Sequence, residues 1–182
     1  MPLDDAFLPV NVRPERACAR DALVCADMPA RAFSEDATVP IVAKLAAVDL
    51  PQHALIEADF TPIGPQTENA TVFNNEAVPH SFRGFRFQTV GGDQYRLVLG
   101  LGTSWVFSKS VLLPRGKRAA VTIEFDDNDV YLRANGVGFD SIHMPSRMAN
   151  TPGSVMVGSW IHGYCPFAGT IHFFEIRDLR KT

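Results

Sequence analysis

The chain has 182 residues, of which 46% are hydrophobic and 20% charged, with a formal net charge of −3. Such a composition allows one packed sandwich with a real core and excludes global disorder. The small negative charge, without any long basic run, excludes a nucleic-acid footprint, and no stretch reaches the roughly 18 apolar residues of a membrane span.

Residues 1–39 carry Pro2, Pro9, Pro14 and Pro29 among many Ala and Arg. They read as an extended N-terminal arm that docks on other protein subunits. Ala19, Ala22, Leu23 and Ala26 fit helical spacing, so one short helix is expected at Glu15–Ala26. The opening Met1-Pro2-Leu3-Asp4-Asp5 is acidic and lacks the apolar segment of a secretory signal. Three cysteines are present: Cys18, Cys25 and Cys165. An odd count argues against a fully paired framework. Cys18 and Cys25 either pair within the arm or stay free thiols in a reducing cytosol. No Cys/His spacing resembles a zinc site, and neither metal nor cofactor is expected.

From Pro40 the texture changes, and residues 40–182 read as one β-sandwich. Ile41–Val48 is a first strand or a helical turn. Ala54–Phe60 reads as a strand, closed by Pro62-Ile63-Gly64-Pro65. Gly84–Gln88 alternates apolar and polar, Gly91-Gly92-Asp93 supplies a turn, and Tyr95–Leu101 resumes the alternation. Trp105 and Phe107 continue it. Pro114-Arg115-Gly116-Lys117 is another turn. Ala120–Phe125 and Val130–Ala134 flank the acidic turn Asp126-Asp127-Asn128-Asp129. Asn135-Gly136 then marks a tight hairpin, because a type I′ turn needs positive φ at both central residues. In the terminal strand Ile171, Phe174 and Ile176 are spaced by three and then two. Either a β-bulge near His172-Phe173 restores the inner face, or the strand is buried on both faces. Short strands punctuated by Gly, Pro, Asn and Asp predict an all-β, two-sheet antiparallel sandwich.

The order of an Ala-Val-Thr-x-x-Phe strand, an acidic turn and Val-Tyr-Leu-x-x-Asn-Gly-Val resembles the laminin-G-like and pentraxin-like branch of the concanavalin A-like jelly rolls. So does the closing pair, Val155-Met156-Val157-Gly158 followed by Phe167 to Ile176. The similarity covers about residues 54–179, most specifically 117–179. It implies a jelly-roll β-sandwich, with recognition of sugar or protein at loops or on the concave face. Gly116-Lys117-Arg118 and His172 depart from the family pattern and put a family calcium site in doubt.

Glycoside hydrolysis needs two carboxyls about 5–10 Å apart. The related glucanases carry Glu-x-Asp-x-x-Glu on one strand. Here Glu57-Ala58-Asp59-Phe60-Thr61-Pro62 lacks the third carboxylate, and Glu124 and Asp126 run into a turn. Solvent-facing charges are the simpler reading. Asp126–Asp129 has calcium-type oxygen ligands, yet Asp and Asn are also what a turn selects. Cys165 near His162 has no orienting partner, so catalytic residues are not assigned.

The candidate contact loop runs from Gly158 to Phe167. Trp160, His162 and Tyr164 alternate there and can share one side, to stack on a sugar or anchor a protein interface. Their alternative role is to cap the sandwich or pack on the arm. A second candidate is Asn74-Asn75-Glu76 with His80 and Arg83, otherwise an ordinary solvated loop. Asn69-Ala70-Thr71 matches a glycosylation acceptor that is inert without a secretory signal. The expected function is a non-catalytic structural or interaction protein: a jelly-roll subunit of a larger assembly, a bacteriophage virion surface or decoration protein. Its expected location is the virion, assembled in the host cytoplasm, with capsid or tail subunits as partners and a cell-surface glycan as a further ligand. The alternative is an extracellular stand-alone lectin or a degenerate glucanase.

Overall fold

The computed structural model describes residues 22–25, 43–47, 50–76, 81–149, 154–160 and 164–181. They form two antiparallel sheets packed face to face. The strands are β1 (Ala22–Cys25), β2 (Ala43–Ala47), β3 (His53–Pro62), β4 (Thr71–Asn74), β5 (Arg83–Gly91), β6 (Gln94–Leu101) and β7 (Trp105–Phe107). They continue as β8 (Val111–Leu112), β9 (Ala119–Asp126), β10 (Asp129–Ala134), β11 (Val137–His143), β12 (Ser154–Val157) and β13 (Gly169–Asp178). One sheet has six strands in the order β1-β13-β3-β9-β10-β11. The other has seven, in the order β2-β12-β4-β5-β6-β7, with β8 also paired to β6. A 3-10 turn, Leu179–Lys181, follows β13. Among the described residues no helix is long and apolar enough to cross a membrane.

The pattern of each strand explains its place. In β3 and β9 exposure alternates along the strand, so Ile56, Ala58 and Phe60 face inward with Val121, Ile123 and Phe125. Aromatic rings tie the two sheets together. Phe73 of β4 stacks on Phe87 of β5 at 5.5 Å and meets Phe174 of β13 at 5.1 Å. Phe60 of β3 meets Phe167 edge-on at 5.5 Å. Such contacts add about 0.5–1.5 kcal/mol each beyond area burial.

The turn expected at Asn135-Gly136 joins β10 to β11 with φ of 51° and 78°. Asn135 Oδ1 also accepts the Ala120 amide at 2.9 Å, which holds the turn against β9. Both readings of the terminal strand apply. The register slips between Ile171 and Phe173, so His172 is the bulged residue. Phe173 and Phe174 are nevertheless both buried, on opposite faces. The segment left open at Ile41–Val48 contains strand β2.

One expectation is corrected. Ala22–Cys25, placed in a short helix by its Ala spacing, is a strand paired with β13. Four apolar positions give an isolated helix little stability, whereas a sheet edge satisfies the backbone at once. Part of the arm 1–39 is therefore stitched to the sandwich. The rest of the arm, Cys18 included, lies outside the described residues.

Candidate functional site

Strand periodicity builds the outer face of the seven-stranded sheet. Phe85, Phe87, Leu97 and Leu99 point into the core, so Arg86, Gln88, Arg96 and Val98 point out. Pairing aligns these outward residues. Asn74 lies opposite Arg86, Gln88 opposite Arg96, Val98 opposite Phe107 and Gly100 opposite Trp105. The sequence therefore brings three aromatic side chains, Trp105, Phe107 and Trp160, to a face that also carries two arginines.

Arg86 is the centre of this face. Its guanidinium carbon lies 4.8 Å from the Trp160 ring centroid and 6.0 Å from that of Trp105. Its Nη1 lies 3.3 Å from Glu76 Oε2, which also accepts the Trp160 indole N–H. Burial pulls the Arg86 guanidinium below its ordinary value, and Glu76 opposes that shift. The Arg86–Trp160 and Glu76–Trp160 contacts fix the indole plane, so the ring is preorganised. Trp105 is braced from the other side by the Phe82 ring at 5.5 Å. Phe82 holds a left-handed φ of 52°, a conformation that costs a non-glycine residue about 1–2 kcal/mol. Its backbone passes so close to Gly100 that a Cβ there would lie 2.4 Å from the Phe82 carbonyl. At the outer edge Arg96 stacks on Phe107, 4.4 Å from its centroid.

The sequence candidates fall unevenly on this geometry. Trp160 is half-buried on Arg86, and Tyr164 is 66% exposed beside it. The Trp160 amide donates to the Tyr164 carbonyl at 2.8 Å. His162 and His80 lie outside the described residues. Asn74 and Asn75, candidate contact residues in a loop between strands, are instead fully enclosed. Asn74 ends β4, and its Nδ2 donates to the Ser159 carbonyl at 2.7 Å. Asn75 Oδ1 accepts the Phe85 amide at 2.7 Å and extends the ladder beyond β4. Both asparagines thus support the loop and the face from beneath. Glu76, grouped with them, belongs to the site through Arg86 and Trp160.

Sequence reading missed Arg86, Arg96, Trp105 and Phe107 as site residues. The signal lay in the even positions of β5 and β6, which share one face. Only the register shows that the odd positions of β7 join them.

The other chemical candidates resolve into ion pairs. On the outer face of the six-stranded sheet, Glu57 meets Arg177 at 2.8 Å, Asp59 meets Arg118 at 2.9 Å and Glu124 meets Arg133 at 3.3 Å. Glu175 of β13 lies directly opposite Glu57, so a third carboxylate comes from a neighbouring strand, but it is only 1% exposed. Asp126–Asp129 is the β9–β10 turn, with Asp127 at φ 54°. Its acids meet histidines: His53 lies 2.9 Å from Asp126 and 3.7 Å from Asp127, and His143 lies 2.8 Å from Asp129. His53, Asp126 and Asp127 place ligand-type atoms within 4.8 Å of one another. Cys165 is half-buried, and burial pushes its thiol up against the opposing pull of Arg86.

No protein-family model matches the chain, and no curated protein sequence matches it. Solved structures do match. The carbohydrate-binding module CBM40 of a Ruminococcus gnavus sialidase, bound to α2,3-sialyllactose, is 13% identical, with a TM-score of 0.58 over 71% of this chain and 77% of that one. Domain 4 of a Geobacillus stearothermophilus GH43 arabinanase, in complex with arabinotriose, is 20% identical, with a TM-score of 0.58 over 74% of this chain and 65% of that one. A heptameric pentraxin from Limulus polyphemus is 11% identical, with a TM-score of 0.58 over 90% of this chain and 80% of that one. At such low identity the likeness reports fold and not activity. The fold of this chain is the concanavalin A-like jelly-roll sandwich.

Proposed function

We propose that this chain is a non-catalytic glycan-binding domain whose contact surface is the outer face of the seven-stranded sheet with Trp160 and Tyr164. The observation that carries it is the packing of Trp160 and Trp105 over Arg86, beside the half-exposed Phe107 and the exposed Tyr164. Rings held in fixed planes at a surface stack on the apolar face of a sugar with little entropy to lose. The fold neighbours solved with sialyllactose and arabinotriose support the reading. The test is a glycan array followed by calorimetry on Trp160→Ala and Tyr164→Ala. Binding that weakens at least tenfold in Trp160→Ala is expected. Binding untouched by both changes places the site elsewhere.

The placement in this reading is a larger assembly, a bacteriophage virion surface, with residues 1–39 as the docking segment and the sandwich displayed outward. Because β1 belongs to the sheet, the docking role in this reading falls to the rest of the arm. Removal of residues 1–21 is therefore expected to leave thermal unfolding unchanged and to abolish incorporation into particles. Incorporation that persists assigns docking to the sandwich, and a chain found only free in solution favours a stand-alone lectin.

A further inference from the structure

We infer that the glycan recognised on this face is acidic, and that Arg96 receives its carboxylate or sulfate; the inference rests on the glycan-binding reading above. Arg86, Arg118, Arg133 and Arg177 each meet a carboxylate. Arg96 differs. It is half-buried on the outer face, its guanidinium lies over the Phe107 ring, its buried Nε has no hydrogen-bond partner, and among the described residues no carboxylate pairs with it. A partly desolvated cation without a counter-ion is unfavourable unless something completes it. Stacking on a ring holds the guanidinium plane and keeps its N–H donors in that plane, the geometry that suits a carboxylate or sulfate.

The residue paired with Arg96 across the strands is an amide and supplies no anion. Gln88, directly opposite Arg96, is 1% exposed, and its Oε1 has no hydrogen-bond partner. Its Nε2 is taken by Asn69 Oδ1 at 2.7 Å, which fixes the amide orientation. The same pattern recurs one pair along the face, where Asn74 Oδ1 and Arg86 Nε lack partners. Buried unpartnered groups of this kind are uncommon. An acidic sugar on this face supplies the anion that Arg96 lacks, while the buried amide oxygens belong to residues paired across the strands with the two arginines. Arg86 is already matched by Glu76, so it positions Trp160 and Trp105, while Arg96 distinguishes acidic from neutral sugars.

Calorimetry on the full chain tests this with three probes: trigalacturonate, its methyl ester as the neutral counterpart, and a sulfated oligosaccharide of similar length. The wild type is expected to prefer at least one acidic probe over the ester by about tenfold or more, the size of a charge-assisted hydrogen bond. The two acidic arms separate carboxylate from sulfate. Arg96→Gln is expected to bring acidic binding down to the level of the ester. Arg96→Lys is expected to keep an intermediate preference. Should Arg96→Gln fold poorly, Phe107→Ala removes the ring beneath Arg96 and is expected to weaken the preference severalfold. A wild type without acidic preference, or a preference that survives Arg96→Gln, overturns the inference. In that case ester binding lost in Trp160→Ala leaves the glycan reading standing. Silence toward every probe and toward a broad neutral array removes both.

Discussion

The outer faces of the two sheets use their charges differently. On the six-stranded sheet Glu57, Asp59 and Glu124 each have an arginine, and the pairs are spread along the strands. On the seven-stranded sheet one pair, Glu76–Arg86, is buried under two tryptophans, and among the described residues Arg96 has no counter-ion. A face whose charges are all reciprocated is chemically complete. In the proposed reading, the face with rings in fixed planes and an unpaired arginine is the one that takes a partner.

The largest test of this contrast is stability. Glu76→Ala leaves the Arg86 guanidinium uncompensated beneath Trp160 and is expected to destabilise the fold by about 3 kcal/mol or more. Glu124→Ala on the other face is expected to cost about 0–1 kcal/mol. Urea unfolding of both variants measures the difference, and equal costs would break the comparison. Next in size is Gly100→Ala, where a new Cβ meets the Phe82 backbone. The expected cost is about 1–3 kcal/mol with a weakened Trp105 site, seen as a shift in the unfolding midpoint and in tryptophan fluorescence. Tyr131→Ala, an exposed aromatic on the complete face, sharpens the binding side. It is expected to leave glycan affinity within twofold, whereas Trp160→Ala lowers it at least tenfold, worth about 1.4 kcal/mol.

The smallest effect concerns Cys165. Its thiol lies above the ordinary value because burial disfavours the thiolate. The thiolate is therefore scarcer at pH 8 than in a free peptide, and alkylation is expected to be slower, accelerating only at higher pH. A Cys18→Ser/Cys25→Ser background isolates the rate. Alkylation as fast as in a peptide would show that the Tyr164–Phe167 segment leaves the face open in solution.

Much of the fold was legible because turn chemistry and strand period are local. Asn135-Gly136 can adopt positive φ at both positions, and the slip from three to two among Ile171, Phe174 and Ile176 announces a bulge. The site was half legible. Trp160 and Tyr164 stand out as aromatics in a Gly/Pro-rich loop. Arg86 and Arg96 do not, since arginine at an alternating position reads as ordinary solvent exposure. The Ala22–Cys25 strand was misread as helix because its spacing is weak and its partner, β13, lies about 150 residues away.

By itself the sequence determined the sandwich, its hairpins and the apolar set that fills it, because these follow from residue-level preferences and a period of two. Only the tertiary structure decided which polar residues meet. Register placed Glu76 and the Ser159–Trp160 segment over Arg86, and Phe107 under Arg96. Those pairings join residues from strands distant in sequence, so no local pattern encodes them.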